Sequence, residues 1–421
     1  MSYDVIVIGG GPAGATTAAL TAEKGHSTLL LERDPQPRFK IGESLMPGTY
    51  GTFKKLGVLD QLKQSCFQRK YSVQFISRDG RASSPFYFRE NDDHERSDTW
   101  QVLRSEFDQM MLDNASRKGA EVKRGVKVLD VLFEGKRAVG VEAKMADGEI
   151  REIAARVVVD ASGQSAFLSR KLGIRSYDPE LKKAAVYAHF ENAYRDDGRD
   201  EGATLVVHTE EEDSWFWYIP LHENVVSVGV VGDLDYLIKS RDNDMEAVFQ
   251  EELDRCDFVK ERLKDAKQLF PAQATKEFSY RSQQMAGDGW VLVGDAYGFL
   301  DPIYSSGVFL ALKSGECAAD AIHRALESGD LSGQRLGDFG DEFKRAMDAV
   351  KKLVFAFYTK DFSFAKFLRE YPHNRQPLVD LLVGNIYGKD FSNFFRDLST
   401  MCPLPETAPE ERQAAPSAQV S

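Results

Sequence analysis

The chain has 421 residues, 42% of them hydrophobic, and a formal net charge of −12. That length and apolar content describe a globular protein with a sizeable core and roughly two or three domains, and the acidity argues against a nucleic-acid surface. Cys66, Cys256, Cys317 and Cys402 lie far apart and the histidines include no HxxxH pair, so neither a disulfide framework nor a metal site is expected. No apolar run approaches the roughly 18 residues needed to cross a bilayer. The start, MSYDVIVIGG, lacks the basic lead and cleavage site of a signal peptide, and the expected location is the cytoplasm.

The first legible unit is DVIVIGGGPAGATTAALTAEKGHSTLLLERD, a buried strand, a glycine-rich turn, a helix and a second strand ending in Glu32 and Arg33. Gly9 makes the tight turn, Gly11 lets the backbone approach a pyrophosphate at the helix start beside Ala13, and Gly14 allows helix and sheet to pack closely. Glu32 is placed to bond ribose hydroxyls, so this is a dinucleotide-binding unit. RFKIGESLMPG follows, with Lys40, Gly42, Glu43 and Ser44 in a loop. Between Lys54 and Arg81 the charge reverses locally, with Lys54, Lys55, Lys63, Arg69, Lys70, Arg78 and Arg81 set against Asp60 and Asp79. A solvated basic face is the default meaning of such a run. QVLRSEFDQMMLDNA then carries Arg104, and RVVVDASGQSAFLSRKLG ends a strand at Asp160.

From about 172 to 281 the apolar residues alternate with period two, which predicts an antiparallel sheet. SWFWYIP lies within it. Alternate side chains share a face, so Trp215, Trp217 and Ile219 should point one way and Phe216 and Tyr218 the other, until Pro220 ends the ladder. GWVLVGDAYGFLDPIYSSGVFLALKSGECAADAIHRAL returns to strand, turn, irregular loop and long helix, with Gly294 and Asp295 in the turn and Pro302, Ser305, Ser306, Gly307 and Val308 at the helix start. After 331 the pattern is helical and aromatic-rich, which reads as a cap on the sheet. Residues 403–421, rich in Pro, Ala and Glu, read as a disordered tail.

The two glycine-rich units, the Arg104 segment and the DASG turn resemble the glutathione-reductase-type flavoproteins in order and kind. The resemblance implies an α/β fold with a discontinuous, Rossmann-like FAD-binding domain in two parts (1–171 and 282–330), interrupted by an antiparallel sheet domain for substrate (172–281) and followed by a helical cap (331–402). It also implies FAD contacts from Arg104, Asp160, Gly294 and Asp295, with the loop holding Lys40, Gly42, Glu43 and Ser44 facing the flavin.

Trp215, Trp217, Ile219 and Pro220 complete WxWxIP, and Phe299, Pro302, Ser305 and Gly307 complete FxxPxxSxG. Both are signatures of the flavin-dependent halogenases, which the chain resembles over about residues 1–330. That family reacts reduced FAD, supplied by a separate reductase, with O2 and then chloride or bromide to give hypohalous acid. A lysine relays the halogen to an electron-rich aromatic ring, and the tryptophans keep substrate away from the flavin. The resemblance assigns the lysine to Lys70, with Lys40 the weaker candidate, and the halide to Ser305, Ser306 and Gly307. It implies a small aromatic substrate, free or tethered to a carrier protein, and no nucleic acid. Some indole halogenases have a glutamate where this chain has Tyr304, which argues for phenol- or pyrrole-type rings. The alternative is a non-halogenating oxidoreductase on the same scaffold, a geranylgeranyl-reductase-like dehydrogenase or an aromatic monooxygenase.

Overall fold

Val5, Ile6 and Val7 have no exposed surface, and an apolar run buried on both faces belongs at the centre of a parallel sheet. In the computed structural model, which describes residues 2–37, 39–210, 214–239, 241, 244–360 and 362–405, strand Ser2–Ile8 takes that place. It lies between Ile150–Asp160 and Thr28–Glu32, with Trp290–Leu292 and Glu121–Arg124 continuing the parallel sheet on either side. An antiparallel hairpin, Lys127–Glu134 with Arg137–Lys144, folds against the early part of Ile150–Asp160. The helix Pro12–Glu23 packs tightly against the long helix Ser306–Ser328. A Cβ on Gly315 would meet the Ala13 carbonyl oxygen at 2.6 Å, so only glycine permits that approach. Two segments that meet at Thr17 and Gly315, 298 residues apart, thus form one nucleotide-binding unit.

The second sheet is built from Lys183–Glu191, Val225–Asp233, Ser214–Pro220 and Thr204–His208, all paired antiparallel. The stretch 172–281 is not all sheet as expected, since it also holds helices Met245–Leu253 and Asp257–Leu263. Ser72–Ile76 adds to Thr204–His208 in parallel, and Phe86–Tyr87 extends it further, so residues before 172 also build this sheet. The alternation through SWFWYIP holds: Trp215, Trp217 and Ile219 join the core shared with the C-terminal helices, while Phe216 and Tyr218 pack into a separate core with Phe249. Helices Gly340–Tyr358, Phe364–Glu370, Arg375–Val383 and Ser392–Leu398 contribute Phe343, Leu353, Phe367, Leu381 and Phe394 to the first of these cores. Most of the expected tail, 406–421, lies outside the described residues. No described helix is long and apolar enough to cross a membrane.

Candidate functional site

A cavity of about 740 Å³ runs from the glycine-rich turn to the inner face of the second sheet. At its nucleotide end Gly9 has φ +103, and a Cβ there would lie 2.5 Å from the Ala161 carbonyl oxygen. A Cβ on Gly14 would lie 2.0 Å from the Gly9 oxygen, whereas Gly11 faces open space with nothing within 4 Å. Two glycines are therefore required by packing, and the third leaves room for a pyrophosphate at the start of Pro12–Glu23, beside Ala13. Glu32 accepts hydrogen bonds from Gly10 N–H at 2.6 Å and Asp34 N–H at 2.9 Å, which fix its carboxylate on the cavity wall next to Arg33. This arrangement fits a dinucleotide cofactor.

Farther in, the wall is the loop carrying Lys40, Gly42, Glu43 and Ser44, held by Arg104. The Arg104 guanidinium donates to the Ile41 carbonyl at 2.7 Å and to both Asp108 oxygens at 2.9 and 3.0 Å. Gly42, at φ +94, lies so close that a Cβ would be 2.9 Å from Arg104 Nη1. Asp295 lines the same region; burial pushes its carboxyl up to about 6, against the pull of Arg104 and Lys40. Glu43 also forms a buried pair with His189, Nε2 to Oε1 2.7 Å.

Pro302, Ser305, Gly307 and Val308 form the facing wall. Ser305 adopts φ +56, a left-handed conformation unusual for a non-glycine residue, and turns the chain into helix Ser306–Ser328. The first N–H groups of that helix have no intrahelical acceptor and point a positive dipole end outward. Ser306 Oγ is buried without a hydrogen-bond partner among the described residues. Such orphaned donors suit a small anion.

Trp215 and Trp217 also line the cavity. Trp215 Nε1 donates to Tyr358 Oη at 2.9 Å, and Trp217 Nε1 to Ser227 Oγ at 3.1 Å. Gly229 makes the seat for Trp217, since a Cβ there would come within 2.2 Å of the indole. Tyr187 stands beside it, ring centroids 6.0 Å apart.

Lys70 is not on the cavity wall. It ends the short strand Gln68–Lys70, is 1% exposed, and reaches the wall through Ser44, donating from Nζ to Ser44 Oγ at 2.8 Å and to the Leu45 carbonyl at 3.0 Å. Ser44 Oγ in turn bonds Thr204 Oγ1 at 2.9 Å, and both residues face the cavity. Burial alone lowers the Lys70 pKa to about 7. A neutral amine has two N–H groups, which the two acceptors match, and a free lone pair.

Four other assignments shape the site without lining it. Asp160 is fully buried and holds the DASG turn, accepting from Ser162 N–H at 2.9 Å and Leu168 N–H at 2.7 Å. Its carboxylate is thus consumed by its own turn. Gly14 and Gly294 serve packing, with a Cβ on Gly294 falling 2.9 Å from the Ala13 side chain. Ser306 sits behind the wall that Ser305 and Gly307 present.

Sequence patterning does not single out Thr204, Tyr187, His189, Asp301 or Tyr358. Two of them had a signal: Tyr187 and His189 are alternate residues of one strand, on the face that meets the cavity. Of the basic stretch, Lys55 is engaged by Glu316 and Asp320, Lys63 by Glu95, Arg81 by Asp79, and Arg69 stacks on Trp100. Lys70 is buried. Little of that charge remains for a free basic face.

Residues 2–333 match the FAD binding domain family. The chain is 31% identical over 405 residues to the 1H-pyrrole-2-carbonyl-[peptidyl-carrier protein] chlorinase of Pseudomonas fluorescens, covering 91% of this chain and 90% of that protein. It is 35% identical over 331 residues to the corresponding brominase of Pseudoalteromonas luteoviolacea, covering 78% and 79%. Among solved structures, the myxobacterial chondrochloren halogenase CndH superposes with a TM-score of 0.80 at 34% identity, covering 93% of this chain and 92% of that one. At 91% and 93% of this chain, the likenesses to the chlorinase and to CndH extend past residue 330 into the helical cap.

Proposed function

The chain belongs to the flavin-dependent halogenases, enzymes that use FAD and halide, and we propose that it halogenates a phenol- or pyrrole-type ring tethered to a carrier protein, with Lys70 as the halogen relay. Bound reduced FAD, together with O2 and chloride or bromide, supplies hypohalous acid. The remaining work falls to the chain's own residues. Gly9, Gly11 and Glu32 hold the nucleotide end, and Arg104 fixes the loop against the ring end. The N–H groups that open helix Ser306–Ser328, reached from the cavity between Ser305 and Gly307, hold the halide. Trp215 and Trp217 wall the substrate off from the flavin.

The observation that carries the reading is the position of Lys70: a buried amine, its pKa brought to about 7, one hydroxyl behind a cavity walled by the two tryptophans. An amine that is half neutral near neutral pH can accept halogen on nitrogen or donate a hydrogen bond to hypohalous acid, and for either the Ser44 side chain must turn aside to open the way from the cavity. The Ser44 and Thr204 hydroxyls are the groups through which it meets the cavity. Tethering is supported by the carrier-bound substrates in the names of the chlorinase and brominase. With the stretch from Lys54 to Arg81 largely partnered, a carrier would find its site by shape and by the mouth of the cavity rather than by bulk charge. Reduced FAD comes from a separate reductase in the cytoplasm.

Mass spectrometry of phenol and pyrrole substrates, free and carrier-bound, incubated with enzyme, reductase, NADH, O2 and each halide tests the proposal. A halogenated carrier-bound ring supports it. Turnover of free substrates only would overturn the tethering, and hydroxylated product without halogenated product would overturn the reading as a whole.

A further inference from the structure

Three segments distant in sequence meet at Tyr358. Its hydroxyl accepts from Trp215 Nε1 at 2.9 Å and donates to Asp301 Oδ2 at 2.9 Å, across separations of 143 and 57 residues. Asp301 is fully buried, and its other oxygen accepts from Ile303 N–H at 3.1 Å. It thereby caps the turn Pro302–Tyr304 that leads into left-handed Ser305. Lys183 Nζ lies 3.9 Å above the Tyr358 ring and pairs with Asp233 at 2.6 Å.

Each partner is chemically suited to its place. An indole N–H only donates and a carboxylate only accepts, so a hydroxyl that does both is the simplest bridge between them. Tyr358 is the last residue of helix Gly340–Tyr358 and comes from the cap. The cap is therefore bonded at once to the tryptophan wall and to the loop ahead of the halide-binding helix.

We infer that Tyr358 and Asp301 are positioning residues that lock the halide loop to Trp215, so that halide affinity depends on the cap. The inference rests on the halogenase reading above. Removing the Tyr358 hydroxyl leaves a buried indole N–H and one carboxylate oxygen without their partners, and the nearest relief is movement of the loop or of the indole. Either movement changes the halide pocket while leaving the nucleotide end untouched.

Tyr358→Phe keeps the ring and removes only the bridge. The expected result is normal folding and FAD binding, with bromide KM and the bromide dissociation constant, read from flavin absorbance, both raised about tenfold and kcat changed less. Trp215→Phe should weaken bromide binding similarly, and the double variant should be no weaker than the worse single variant, because both break one chain. Asp301→Asn, which retains shape but cannot accept from both Ile303 N–H and Tyr358, should weaken bromide binding as well. Wild-type bromide binding in Tyr358→Phe, or losses that multiply in the double variant, would overturn the inference. Halogenation by the wild-type enzyme in the same assay checks the underlying reading separately.

Discussion

Lys70 Nζ lies 2.8 Å from Ser44 Oγ, and no carboxylate among the described residues pairs with it. The amine is buried beside two neutral acceptors, which is why desolvation alone lowers its pKa to about 7. In the unfolded chain the same group holds its proton to about pH 10.4. Between these values the unfolded state binds more protons than the folded one, so stability should rise with pH. Chemical denaturation should show wild type gaining about 2 kcal/mol from pH 7 to pH 9 relative to Lys70→Met. Parallel pH profiles for the two proteins would contradict a depressed pKa.

Gly229 should tolerate no side chain, because a Cβ would enter the Trp217 ring. Gly229→Ala should lose about 1 to 3 kcal/mol of stability, seen in thermal unfolding, or else displace the indole. A displaced indole would appear as a changed product ratio at unchanged stability. Unaltered stability together with unaltered products would mean that the seat is not needed.

Replacing both Trp215 and Trp217 by phenylalanine retains most of the apolar volume of the wall and removes both indole N–H bonds. The double variant should fold and bind FAD but release hydroxylated product or hydrogen peroxide. Full halogenation with neither by-product would rule out a gating role.

Arg104→Lys keeps charge but loses the two-point bond to Asp108 and the geometry of the bond to Ile41. The loop from Lys40 to Ser44 should loosen, with FAD affinity falling about tenfold, measured by flavin fluorescence titration. Unchanged affinity would show that the loop holds itself.

The scaffold was legible in the sequence because its signals are local. GxGxxG followed by a helix and Glu32, and the period-two pattern of SWFWYIP, each declare themselves within a few residues. What stayed hidden depends on distant partners. Tyr358 sits in an aromatic-rich helix that composition assigns to the core, and only the fold brings it to Trp215 and Asp301. Asp160 carries the motif of a cofactor ligand, yet its carboxylate is taken up by Ser162 and Leu168 N–H groups. Ser72–Ile76 joins the second sheet in parallel, a pairing that alternation within the strand cannot specify. The family resemblance assigns the relay to Lys70, whereas the place of that residue behind Ser44 follows from the pairing of Gln68–Lys70 with Thr99–Gln101.

The most direct test of the account compares wild type, Lys70→Ala and Lys70→Arg for halogenated product by mass spectrometry, alongside stopped-flow flavin spectra under reduced FAD, O2 and bromide. Lys70→Ala should bind FAD and run the flavin reactions at the wild-type rate yet form no halogenated product. Lys70→Arg should separate hydrogen bonding, which it can still provide, from chemistry on a neutral amine, which it cannot. Halogenation by Lys70→Ala at the wild-type rate would contradict the role given to Lys70 and turn attention to Lys40, which does line the cavity.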